Sequence, residues 1–138
     1  MKKTAILLFL GVFLYNCKKN LRNEINDNIE KATVKKELQF CLYNSTKFQL
    51  NNITIGLPDT SLTYKLLDKY NQTKWVNIKS AYHYGFVRFF DKKNRKYYIQ
   101  PIDYVGETLL EKGQLKFIIK SVDSTNKSFE LDSDYKNN

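Results

Sequence analysis

From Leu38 onward the apolar residues of this chain recur at every second position, and that period decides what it can fold into. Leu38, Phe40 and Leu42 alternate, and so do Leu115, Phe117 and Ile119 near the other end. Side chains two apart line one face of a pleated strand, whereas a helix would repeat them every three or four residues. Between these runs the same pattern returns about every ten residues, broken by turn-forming clusters. Asn44-Ser45-Thr46 ends the first run, Gly56-Leu57-Pro58-Asp59 ends the second, and Asp91-Lys92-Lys93-Asn94 turns a later one. Phe48 and Leu50 are out of phase with Ile53 and Ile55, so Asn51-Asn52 predicts a bulge that keeps one face inward.

Further strands are expected over 63–67, with Tyr64 and Leu66 on one side, and over 74–79, with Val76 and Ile78 inward and Trp75 on the opposite face. The most strand-like run is Ala81 to Phe90, dense in aromatic and β-branched residues. With Lys96 to Ile102 it predicts a hairpin over 84–102. A four-residue loop would set Phe86 opposite Ile99 and Arg88 opposite Tyr97. Phe129 and Leu131 predict a short last strand, followed by a frayed tail. The expectation is an all-β fold, a single Ig-like β-sandwich of about seven or eight strands over residues 37–132, with a disordered tail over 133–138.

The first 36 residues follow other rules. Lys2 and Lys3 precede an apolar run from Ala5 to Tyr15, and Lys18 and Lys19 follow at once. A helix needs roughly 20 apolar residues to cross a bilayer, so this run fits the core of a signal peptide instead. It closes on Leu14-Tyr15-Asn16-Cys17, which resembles the lipobox of bacterial lipoproteins, in the relaxed form found in Bacteroidota; Asn16 stands where the family prefers Gly, Ala or Ser. The resemblance implies a signal peptide over 1–16, cleavage before Cys17 and diacylglycerol on its thiol. Residues 17–36, charged, Asn-rich and without an aromatic, read as the lipidated cysteine and a polar linker. The expected address is the cell envelope, on a lipid anchor. Lys18 lacks the aspartate that retains lipoproteins at the inner membrane in well-studied sorting systems, which favours the outer membrane.

The segment Trp75 to Val105, with Ala81-Tyr82, Gly85-Phe86-Val87 and Gln100-Pro101-Ile102-Asp103, is similar to small uncharacterised lipoproteins with Ig-like or transthyretin-like domains. That resemblance implies a fold and no activity.

Chemistry is sparse. His83 is the single histidine, so a hydrolase would have to rest on it together with a nearby carboxylate or hydroxyl; a histidine that is merely packed is the commoner case. A lipid-bearing Cys17 cannot pair with Cys41, which between Phe40 and Leu42 reads as a small buried hydrophobe. Asp91, Asp103 and Glu107 fall in turns or connections, where carboxylates cap backbone groups. No phosphate loop, dinucleotide fingerprint, calcium loop or paired CxxC is present, so no cofactor, metal or catalytic set is expected.

The charge is the stronger signal. Taking Lys2 and Lys3 away lowers the formal net charge from +9 to +7, still strongly basic. In an exported protein the counter-charge is an envelope protein, an anionic glycan or a lipid surface rather than nucleic acid. The expected partner surface combines Tyr82, Tyr84 and Tyr97 with Arg88, Lys92, Lys93 and Arg95, on a monomeric domain that binds and does not catalyse. For the anchor, a labelled fatty acid fed to cells is expected to enter the wild type. Cys17→Ser should abolish the label and move the protein from the membrane to the soluble fraction, read by fractionation and gel fluorography.

Overall fold

Period-two patterning on both sides of the core produces two sheets packed face to face. The structure, a computed structural model, describes residues 37–137; the signal segment, Cys17 and the linker lie outside the described residues. Nine strands follow in order: β1 (Leu38–Asn44), β2 (Leu50–Gly56), β3 (Ser61–Leu67), β4 (Asn71–Gln72), β5 (Val76–Ile78), β6 (Phe86–Phe90), β7 (Lys96–Ile99), β8 (Gly113–Asp123) and β9 (Ser128–Lys136). One sheet runs β4-β1-β8-β9, with β5 also on β1; the other runs β3-β2-β6-β7. No helix occurs among the described residues. The domain is an all-β sandwich with Ig-like two-sheet layering, built from seven strands of four or more residues and two short pieces, β4 and β5.

The alternating residues meet in the middle. Leu38, Phe40 and Leu42 lie beside Leu115, Phe117 and Ile119, because β1 and β8 pair in parallel from Leu38 with Gly113 to Asn44 with Ile119. The facing sheet contributes Leu50, Ile53, Ile55, Val87, Phe89 and Tyr97. An aromatic pair lies within each layer, Phe40 edge to face on Phe117 at 5.1 Å and Phe89 stacked on Tyr97 at 5.1 Å, and Phe89 also meets Phe129 of the facing sheet at 4.9 Å. Each such pair contributes about 0.5–1.5 kcal/mol beyond its buried area. The bulge expected at Asn51-Asn52 is present: the register of β2 on β6 shifts between Asn51 and Thr54, and Asn52 takes a left-handed φ of 47°. It returns Leu50, Ile53 and Ile55 to one face.

Four expectations are corrected. In β3 the side expected to carry both Tyr64 and Leu66 is divided: Tyr64 packs against the core while Leu66 is 49% exposed, and Leu67, opposite the buried Leu50, enters the core instead. The strand expected from Ala81 begins only at Phe86. Ala81 makes a single bridge to Leu110, and the intervening tyrosines turn toward Tyr104. The β6–β7 register is one residue from the expected one: Val87 faces Ile99, Arg88 faces Tyr98 and Phe89 faces Tyr97, because the loop holds five residues, 91–95. Finally, 133–136 are not a disordered tail. They complete β9, which follows the eleven-residue β8 back to Gln114 and packs Tyr135 against the core.

The topology gives the sandwich two unlike ends. β1 starts beside Ile78 and Gly113, and β9 finishes beside Gln114, so the chain enters and leaves at one end. At the other end Asn44, Phe48, Asp68 and the 91–95 loop come together. Gly113, at the entry end, has φ +92°, and an added Cβ would collide with the Lys136 carbonyl oxygen. Gly113→Ala is therefore expected to lower stability by at least about 2 kcal/mol, from left-handed strain plus displacement of β9, measured by chemical denaturation.

Candidate functional site

The end of the sandwich far from the chain entry is built on two buried polar side chains. Asn44 closes β1 and is fully buried. Its amide donates to the carbonyls of Phe48 (2.7 Å) and Asp68 (3.0 Å), while its Oδ1 accepts from the Thr46 N–H and hydroxyl. One side chain thus joins the β1–β2 loop to the β3–β4 loop. The turn chemistry of Asn44-Ser45-Thr46 is legible in sequence; its reach to Asp68 is not.

Asp91 is the second, 7% exposed at the end of β6. Its Oδ1 accepts from the backbone N–H groups of Lys93 and Arg95, both at 2.9 Å. Its Oδ2 accepts from the Arg95 guanidinium (2.7 Å from Nε, 2.6 Å from Nη2) and from the Tyr97 hydroxyl (3.2 Å). Arg95 also donates to the carbonyl of Ser124 in the β8–β9 turn at 3.4 Å. Burial pushes the Asp91 carboxyl up, but the Arg95 and Lys93 hydrogen bonds and the Arg95 charge outweigh it and hold the group below its ordinary range.

Between these loops lies a cleft of about 310 Å³. Its walls carry five cationic side chains, Lys47, Lys69, Lys92, Lys93 and Arg95, against two carboxylates, Asp68 and Asp91. Asp91 is engaged by Arg95, and Asp68 accepts from the Gln49 amide at 2.6 Å. Among the described residues no carboxylate lies within ion-pair distance of any of the four lysines. Phe48 supplies an apolar wall, with the Lys47 ammonium 5.7 Å from its ring centre.

The expected partner surface is therefore divided. Lys92, Lys93 and Arg95 are together in the cleft, joined by Lys47 and Lys69 from loops far away in sequence. Arg88 lies on the outer face of its sheet, half-buried, donating to Thr54 at 2.9 Å, with its Nε unpartnered. Tyr82 and Tyr84 sit at the opposite end of the sandwich, stacked on Tyr104 at 4.4 and 5.3 Å. Tyr97 is corrected outright: it is 0% exposed, because the one-residue register change turns it inward onto Phe89 and Asp91. Its neighbour Tyr98 is the exposed one, with the Lys96 ammonium 4.9 Å above its ring.

His83 is exposed in the 82–85 segment. Its Nδ1 is 3.4 Å from the Ser133 hydroxyl, and its ring stands edge-on to Tyr135 at 5.6 Å. No described carboxylate hydrogen-bonds to it, and no group of three metal-ligating side chains occurs among the described residues. Cys41 is buried, and burial raises its thiol to about 11, with Lys116 pulling the other way. Asp103 and Glu107 lie in the exposed 102–109 loop, where Asp103 receives the Val105 N–H at 3.3 Å.

The Asp91 network yields a pH prediction. A carboxyl whose folded pKa is depressed stabilises the fold above its unfolded pKa of about 3.9 and loses that contribution as pH falls through the folded value. Asp91→Asn is expected to cost about 2 kcal/mol at pH 7, the scale of hydrogen bonds to a charged group, and to flatten the loss of stability below about pH 4. Denaturation midpoints of wild type and variant from pH 2 to 7 measure both.

No family model matches the chain, and no curated protein matches it. Among solved structures, the chain is similar to a protein from Eubacterium rectale determined by NMR, with 14% sequence identity, 77% of this chain and 94% of that chain covered, and a TM-score of 0.49.

Proposed function

We propose that this chain is a lipid-anchored envelope lipoprotein whose sandwich is a non-catalytic binding or accessory module for an acidic partner, protein or glycan. The observation that carries the reading is the cationic cleft: four lysines without carboxylate partners among the described residues, held on loops fixed from beneath by Asn44 and Asp91. Fixed loops reduce the ordering cost of binding, and clustered lysines attract and steer an oppositely charged ligand. The outer membrane is the favoured address.

A second reading, a hydrolase using His83, draws on the Ser133 hydroxyl 3.4 Å away. A serine nucleophile also needs its histidine oriented by a third group and a set of oxyanion donors. The described hydrogen bonds give His83 no such third group.

In intact cells, a crosslinker with short reach is expected to trap a partner on the tethered wild type. Lys92→Glu combined with Lys93→Glu should lower that recovery at least ten-fold while leaving the membrane fraction unchanged. Recovery of lipid alone from the wild type contradicts the binding module. Hydrolysis of an ester or glycoside by the purified protein that is lost in His83→Ala selects the second reading.

A further inference from the structure

We infer that the cleft takes a short stretch of an anionic glycan, a sugar chain carrying spaced carboxylate or phosphate groups, rather than an acidic peptide. This rests on the reading of the cleft as an acidic-partner site and adds the ligand's chemistry.

Three features separate the two ligands. The first is the kind of cation. Four of the five are lysines, which act as mobile point charges, while the fork of the only arginine is already taken by Asp91. Point charges need no planar partner, so they accept a glycan's phosphate as readily as its carboxylate, whereas an acidic peptide offers carboxylates alone. Mobile ammonium groups suit a ligand whose charges are spaced by its own covalent units.

The second feature is Asp68. Its carboxylate lies in the same cleft, bonded to the Gln49 amide at 2.6 Å. A dense run of negative charge would be repelled there, and like charges in one site are costly. A sugar acid presents hydroxyls between its acid groups. Those hydroxyls donate to Asp68 and accept from Gln49, so the pair forms a polar reader between lysines.

Phe48 is the third. An apolar ring in a wall otherwise made of charged and amide groups offers nothing to an aspartate or glutamate side chain. It does match the C–H face of a pyranose, which is flat, apolar on one side and rimmed by hydroxyls. Tyr82 and Tyr84, whose rings would serve the same purpose, are at the other end of the molecule and occupied by Tyr104. The volume, about 310 Å³, is at the small end of the range for ligand sites of roughly 300–1,000 Å³, which fits one or two sugar units.

The test is a calorimetric titration of the full purified chain at low salt with five probes: oligogalacturonate, its methyl ester, a phosphorylated mannan oligosaccharide, a neutral dextran oligosaccharide and polyglutamate. Oligogalacturonate or the phosphorylated mannan should bind at least ten-fold more tightly than the methyl ester, dextran and polyglutamate. The stronger of the two identifies the acid group. Binding should weaken with added salt and fall at least ten-fold in Lys92→Glu/Lys93→Glu. Phe48→Ala should lose about five-fold and Phe48→Trp should keep affinity, which separates ring stacking from a folding defect. Polyglutamate binding as tightly as either glycan, with Phe48→Ala unaffected, overturns the glycan inference and leaves the acidic-partner reading standing. Absence of binding to any polyanion overturns both.

Discussion

The carboxylate of Asp91 sets the geometry on which the far end of the molecule depends. By gathering the N–H groups of Lys93 and Arg95 it makes the β6–β7 loop five residues long, and loop length fixes register in a hairpin. Register then decides faces: Tyr97 turns inward to stack on Phe89, and Tyr98 turns out. The same carboxylate holds the Arg95 guanidinium, which reaches on to the β8–β9 turn. A buried charge would be unfavourable alone; five donors to its two oxygens make this one a fastening point. Lys92 and Lys93 therefore project from a backbone with little freedom to adjust.

The core was legible because it is written in a local code. Leu38, Phe40 and Leu42, with Leu115, Phe117 and Ile119, needed only their spacing to be recognised as one buried face, and the phase slip at Asn51-Asn52 announced its own bulge. The failures share a physical cause, dependence on groups distant in sequence. Ala81 to Gly85 has the composition of a strand, yet Tyr82 and Tyr84 stack on Tyr104, about twenty residues away. Gly85 also lies so close to the Gly56 carbonyl that a Cβ would be 2.9 Å from it. Asp132-Ser133-Asp134 looks like a tail because one face of an edge strand is wet; what holds it is the length of β8.

The cleft shows the same division. Lys92, Lys93 and Arg95 are adjacent in sequence and easily grouped, but Lys47 and Lys69 join them only because Asn44 bonds both Phe48 and Asp68. A buried asparagine at the end of a strand was the available signal. It reads as an ordinary turn former until its burial is known. The basic composition thus resolves into one concentrated patch and several scattered charges, among them Lys120, paired with Asp132 at 2.6 Å on the surface.

The parallel ladder between β1 and β8 has a consequence for how the chain reaches this state. Its partners are 75 residues apart throughout, from Leu38 with Gly113 to Asn44 with Ile119, and everything between them belongs to the other sheet or to the flank of β1. A nascent chain that has delivered β1 through β7 still has one side of β1 open, an unsatisfied row of amides and carbonyls beside an apolar face. Such an intermediate is a template for strand addition by a neighbouring chain, and closure over so long a loop is slow. The segment from Gly113 onward, less than a fifth of the polypeptide, is therefore what covers the open side of the first strand, and nonsense mutations ahead of Gly113 should yield aggregates rather than soluble fragments.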